Sequence, residues 1–258
     1  MNVSNLQAAA RLFVLVAFVV VAAPTAQAQG AGVDPGAERL LRRMTVYMAG
    51  LQQFSVETQN TLEAVVASGQ KIQFVVNASV MLRRPNKLRA ERMSDLVSQE
   101  FYFDGKALTL YNPADKVYAT VAAPDTVEGM LDFACDQLDI IAPAGDFLYR
   151  NAFDLLMQVT TSGFVVGKAM IGGVKCDHLA FGGPEVDWQV WISEGDQPLP
   201  RRYVVTTRDP ASHPAFAAVL TNWNVAPNLT DAQFSFTPPT GAKPIDFLTR
   251  EAGSAPTR

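Results

Sequence analysis

The sequence predicts a mainly β chain: one long antiparallel sheet that curls, with helices burying apolar stripes on one of its faces. Three observations carry this. Apolar and polar residues alternate with period two over most of the chain after Phe54. Short turn signals separate these runs at regular intervals. Helical periodicity appears in only two places, before residue 52 and between 125 and 158. A sheet of ten or more strands tends to curl or split, and the helices need a face on which to bury their stripes.

The chain opens on a segment that does not belong to this pattern. Arg11 precedes an unbroken apolar run from Leu12 to Ala23, Pro24 breaks it, and Ala26-Gln27-Ala28 follows. A basic start, a short apolar run and a small-x-small site read as a secretory signal peptide over residues 1–28, cleaved near Ala28. The run is shorter than the roughly 20 residues a membrane span needs. No later stretch of the mature chain is long and apolar enough to be an integral span, and no cysteine near the cleavage site suggests lipidation. The expected location is the periplasm.

Asp34 and Pro35 are suited to the N-cap and first position of a helix. Leu40, Leu41, Met44, Tyr47, Met48 and Leu51 form its apolar face. Alternating strands follow at about 54–64, 74–82 and 88–90. Further strands are expected at 98–103, 106–112 and 116–122, with Asp104-Gly105 as a hairpin turn. Asp125 and Glu128 have capping-box spacing, and Val127, Met130, Leu131, Ala134, Cys135, Leu138 and Ile141 make a helical stripe. A short helix follows near Asn151. Strands resume at about 164–170, 174–181, 186–193, 201–208 and 216–225. Thr230 and Gln233 suggest a capped turn, Phe234 to Thr237 a last short strand, and residues 249–258 a flexible tail. With no dividing linker, 29–248 read as a single domain.

Composition excludes more than it assigns. The chain has a formal net charge of −4, 18% charged and 48% hydrophobic residues. Mild acidity argues against a nucleic-acid partner, which needs a basic stripe. No nucleophile elbow, H-E-x-x-H, C-x-x-C or P-loop occurs. No cofactor and no metal site are expected, and the chain reads as not an enzyme. Cys135 and Cys176 can pair as a disulfide in an oxidising compartment, or stand as two separate buried thiols. Cys176 and His178, with Cys135 and His213, lack the short ligand spacings of a zinc site. Asp132, Asp136 and Asp139 share one helix face, read as solvated.

One sheet face is rich in apolar side chains. Phe54, Val56, Phe74, Val76, Val80, Leu82, Leu88, Phe101, Leu108 and Leu110 are the candidates for lining a ligand cavity. The pattern alone favours an ordinary packed core over a cavity.

Five stretches carry a resemblance. F-D-G-K-A-L-T-L-Y-N-P-A-D-K-V-Y-A-T-V at 103–121, V-W-I-S-E-G-D-Q-P-L-P-R-R at 190–202 and D-A-Q-F-S-F-T-P-P-T-G-A at 231–242 resemble the periplasmic lipoprotein-carrier, LolA-like superfamily. V-K-C-D-H-L-A-F at 174–181, with V-D-W-Q-V-W-I at 186–192, is more closely similar to a family of predicted periplasmic bacterial proteins of unassigned function. The resemblance implies an open half-barrel with helices packed on its concave face. It implies a non-enzymatic binding role, with a lipid, an acyl chain or a lipoprotein acyl group as partner. The alternative is an envelope protein-interaction or stress-sensor module with a filled core and no ligand.

Overall fold

The computed structural model describes residues 32–95, 97–142, 144–208 and 214–247. The expected signal peptide, the tail at 249–258 and His213 lie outside the described residues. Helix α1 (Pro35–Gly50) begins as expected: the Asp34 carboxylate accepts hydrogen bonds from the backbone N–H of Gly36 and Ala37 at 2.8 and 3.0 Å. That satisfies two of the donors every helix start leaves open. Six strands follow: β1 (Gln53–Val65), β2 (Lys71–Arg83), β3 (Lys87–Met93), β4 (Ser98–Phe103), β5 (Ala107–Asn112) and β6 (Val117–Ala122). Then come α2 (Val127–Leu138), a 3-10 turn at Gly145–Leu148 and α3 (Ala152–Gln158). A second series of strands completes the fold: β7 (Ser162–Ile171), β8 (Val174–Gly182), β9 (Val186–Ser193), β10 (Pro200–Thr207) and β11 (Ala215–Asn224), with a two-residue β12 (Lys243–Pro244).

All twelve strands belong to one sheet, in the order β12-β6-β5-β4-β3-β2-β1-β11-β10-β9-β8-β7. The chain starts at the middle, meanders out to β6, crosses through the helices to the opposite edge at β7, and meanders back until β11 pairs with β1. Every pairing is antiparallel except β12 with β6. The sheet is curved and open, as the sequence predicts. At Asp104-Gly105 the glycine has φ of +88°, which no L side chain adopts without strain, and the Asp104 carboxylate receives the N–H groups of Lys106 and Ala107.

The helices pack on the concave face. Leu41, Met44 and Met48 of α1 share one buried cluster with Leu179, Trp188, Val190 and Ile192 of the β7–β11 half. Met130, Leu131 and Ala134 of α2 join Val56, Leu88 and Leu108 of the β1–β6 half in the same cluster. Each such large side chain contributes roughly 2 kcal/mol by leaving water. Phe181 lies over Gly163 on the neighbouring strand, where an added Cβ would stand 2.3 Å from the ring. Glycine there lets the ring stack on Trp188, at 4.1 Å between centroids.

Three expectations are corrected. The cap of α2 is Thr126, whose hydroxyl accepts from Gly129 N–H at 3.1 Å, and not Asp125. Glu128 is drawn away from any capping box by Arg84. Phe234 to Thr237 is no strand: Phe234 is fully buried beneath Arg83, and Phe236 wedges among Tyr102, Tyr111 and Tyr118 on the outer face. Their alternation reports packing of a strap across the sheet and not a ladder. The strap then adds β12 to the β6 edge.

Arg84 joins the pieces. Its side chain is 0% exposed. Nε donates to the Leu51 carbonyl after α1 at 3.2 Å, Nη2 donates to the Leu148 carbonyl at 2.8 Å, and Nη1 pairs with Glu128 of α2 at 3.0 Å. Burial works against the guanidinium charge, and the Glu128 carboxylate beside it offsets part of that effect. Replacing Arg84 by Met leaves the Leu51 and Leu148 carbonyls without this donor and the Glu128 carboxylate with Arg150 alone. The expected loss is about 3 kcal/mol in denaturant unfolding; a loss below ~1 kcal/mol would refute this account of the lid's attachment.

Candidate functional site

The register of β1 to β5 decides which side chains face the helices. On β1 these are Phe54, Val56, Thr58, Asn60, Leu62 and Ala64; their partners on β2 are Leu82, Val80, Ala78, Val76, Phe74 and Ile72. Leu88, Ala90 and Arg92 of β3 continue the same face, followed by Phe103, Phe101 and Gln99 of β4. Over this face lie α2, the segment after it and the 3-10 turn. The packing is incomplete. A cavity of about 550 Å³ remains between sheet and lid.

Phe54, Val56, Phe74, Val76, Val80, Leu88, Phe101 and Leu108 line it. Leu82 and Leu110 do not. Leu82 is fully buried between Phe54 and Leu88, in the packed end of the core. Leu110 is half-buried, paired with Phe101 and Ala119 on the far side of the lining. The remaining walls include Met48 from α1, Met130, Leu131 and Ala134 from α2, Phe147 and Leu148 from the 3-10 turn, and Leu220 and Trp223 from β11. The α2 stripe signals its share of this lid. Nothing local signals Trp223, which enters through the β1–β11 pairing, its ring 5.4 Å from Phe54 and its indole N–H on the Pro200 carbonyl.

The cavity opens along the β1–β2 hairpin. That ladder runs from Gln53–Arg83 out to Val65–Lys71, whereas β3 pairs with β2 only from Asn77 inward and β11 with β1 only to Leu62. The hairpin therefore overhangs the sheet. Leu62, Ile72 and Phe74 (41% exposed) present apolar surface there, and Ile141, 67% exposed, lies across from them beyond the end of α2. Ile141 was expected on the buried stripe. The helix ends at Leu138 with Asp139 at φ of 56°, which turns the chain off the helix axis before Ile141.

The cysteines are corrected similarly. Cys135 is exposed and Cys176 is fully buried, both as free thiols. Ala134 and Leu138 face the sheet, and Cys135 lies off that face. Cys176 sits in β8, near the other end of the sheet from the strands α2 covers. Asp132, Asp136 and Asp139 are exposed; Asp132 accepts the Tyr149 hydroxyl at 2.8 Å. His178 stacks on Trp191 at 4.0 Å and meets Gln189 through Nε2. Among the described residues no group of three His, Cys, Asp or Glu is placed to hold a metal ion, and no helix is long and apolar enough to cross a membrane.

Under the 3-10 turn, burial pushes the Asp146 carboxyl above its ordinary range. It also raises the Tyr203 hydroxyl that faces it, an effect the Asp146 charge reinforces.

Open curved sheet, helical lid and apolar cavity define a cavity-bearing, lidded half-barrel. The chain belongs to the DUF2092 family, described as predicted periplasmic protein, whose family model matches residues 37–248. No curated protein matches the sequence. Among solved structures, the Mycobacterium tuberculosis lipoprotein LppX is similar at 14% identity over 76% of this chain and 100% of its own, with a TM-score of 0.50. LprF from Mycobacterium bovis matches at 17% identity over 83% and 100%, with a TM-score of 0.49. A LolA superfamily protein from Nitrosomonas europaea matches at 11% identity over 78% and 97%, with a TM-score of 0.41. At such identities the likeness to LppX shows a shared fold.

Two predictions follow from this geometry. In the native protein an alkylating reagent should modify Cys135 alone, with Cys176 reacting only on unfolding; intact mass with and without denaturant reads this. Asp146→Asn should raise the melting temperature at pH 7. Because the folded pKa of Asp146 lies above the unfolded value near 3.9, the folded wild type takes up its proton first as pH falls. The advantage of the Asn variant should shrink between pH 7 and pH 4. An advantage independent of pH would overturn the assignment.

Proposed function

We propose that this protein is a periplasmic, non-enzymatic carrier that shelters an apolar ligand, a lipid or acyl chain, in the concave cavity. The observation that carries the reading is the unfilled cavity itself, of about 550 Å³ with predominantly apolar walls. That is within the usual range of ligand pockets, roughly 300–1,000 Å³. A buried methylene is worth about 0.8 kcal/mol, so a long chain supplies enough to offset the cost of association. The overhanging Leu62, Ile72 and Phe74 extend the apolar path from the cavity to solvent. The family's description supports the compartment, where a water-insoluble molecule needs an escort. A protein or lipoprotein partner would receive or deliver the cargo at that opening. The mechanism is reversible burial: the segment after α2 gives way, the chain enters, and the walls replace water around it.

The test is native mass spectrometry of the purified protein with lipid extraction, together with binding of a fluorescent fatty acid. Bound lipid and saturable probe binding are expected. Val80→Trp, which narrows the cavity at its apolar end, should weaken the probe at least about tenfold with a cooperative melt retained. Absence of both lipid and probe binding would sink the carrier reading and favour the interaction or stress-sensor module.

A further inference from the structure

One charged residue stands where the sheet face is otherwise apolar. Arg92 follows Leu88 and Ala90 on the concave side of β3 and is the sole basic side chain among the described residues lining the cavity. It is half-buried, its guanidinium 5.3 Å from the centre of the Phe101 ring. A cation so placed normally finds a carboxylate. Arg92 forms no ion pair with a described residue. The acidic residues that also border the cavity are engaged elsewhere: Glu91 with Arg89, and Glu63 with Lys71. The hydrogen bond of Arg92 is from Nε to the Gln99 side chain. Both Nη groups of the fork are left for a ligand.

The surroundings suit a polar head group. Gln99, Arg92, Ala78, Thr58 and Leu220 are successive partners across five strands. Neighbouring strands lie about 4.8 Å apart. Ala78 is small, so the space between Arg92 and Thr58 is open. Asn60, 8% exposed, stands one pair further along β1 and donates to the Thr58 hydroxyl at 2.9 Å. These residues make a polar belt on the concave face. On one side of it lie Phe54, Val56, Val80, Leu88 and Leu108; on the other, Leu62 and Phe74 of the overhang.

The geometry points to an anionic amphiphile as the ligand: its carboxylate or phosphate is held by the Arg92 fork at the belt, and its chain lies in the deep apolar part. This rests on the carrier reading above. Guanidinium presents paired N–H groups that match either anion, and a water-poor wall strengthens the contact. Burial lowers the pKa of Arg92, yet an arginine stays charged at any working pH.

Equal chains with different heads test this. Dodecanoate, dodecyl phosphate and dodecanol are titrated against the full chain by displacement of a fluorescent alkyl probe. At least one anion is expected to bind about tenfold or more tightly than the alcohol, and the tighter anion tells carboxylate from phosphate. Arg92→Gln should erase that preference, bringing anion affinity down to that of dodecanol for the same variant, and Arg92→Lys should retain part of it. If the alcohol binds as well as both anions, the head-group inference fails and the carrier reading stands. A preference that survives in a folded Arg92→Gln protein removes Arg92 from the site. If none of the three binds, both readings fall.

Discussion

The Arg84 guanidinium is the constraint on which the lid depends. It is buried at the β2–β3 turn and reaches three separate stretches of chain: the end of α1, the start of α2 and the 3-10 turn. None of these contacts is local in sequence. Helices of 12 and 7 residues, such as α2 and α3, are marginal on their own in water. They are held by burying one face and by having their open backbone groups met. Arg84 meets the Leu148 carbonyl and fixes the acid at the start of α2 in one step. The desolvation cost of such a cation is large, and it is met by three acceptors in fixed positions. The lid is therefore pinned at one end, beside the turn. At the opposite end, around Ile141, its apolar surface is exposed and borders the cavity.

That asymmetry explains why the cavity opens toward the hairpin. At the Arg84 end Leu82 is fully buried between Phe54 and Leu88, which close the cavity there. At the other end the long β1–β2 ladder outruns both neighbouring strands, and the lid has already turned away at Asp139. The same two meanders that build the core thus leave a mouth where their lengths differ. The opening is a consequence of unequal strands, with no separate element devoted to it.

Much of this was legible in the residues. Period-two alternation placed Phe54, Val56, Phe74, Val76 and Val80 on one face because a side chain on a strand has only two directions to choose from. Asp104-Gly105 announced its turn through the backbone angle that glycine permits. What the pattern could not show was partnership at a distance. Nothing near Trp223 says that β11 lies beside β1, and nothing near Phe236 says that three tyrosines from three strands await it. Cavity and core also use the same apolar residue types, so Leu82 and Val80 read alike until the lid's position separates them. Cys135 failed for a narrower reason: one residue along a helix is about 100° of rotation, enough to move a thiol from the buried stripe to solvent. Arg92 was in plain view, two residues beyond Ala90 on the same face, but a charge among charges reads as surface unless the alternation is followed through it.

A sheet with two ends must also deal with what its ends offer. β12 lies along the start of β6, so the strap that crosses the outer face finishes by pairing with Val117 and Tyr118 of that edge. At β7 the bridge from Val33 to Gly163 covers the start alone. Beyond it the ladder slips between Val165 and Gly167, where the glycine has φ of +148°, and Lys168 follows with Asp177 and Glu194 around it. An irregular kink and a charged side chain make a poor template for another strand. Val165, Val166 and Met170 are exposed on that same strand. The slip at Gly167 thus interrupts, along a greasy edge, the even row of backbone groups that a strand from a second chain would need in order to pair.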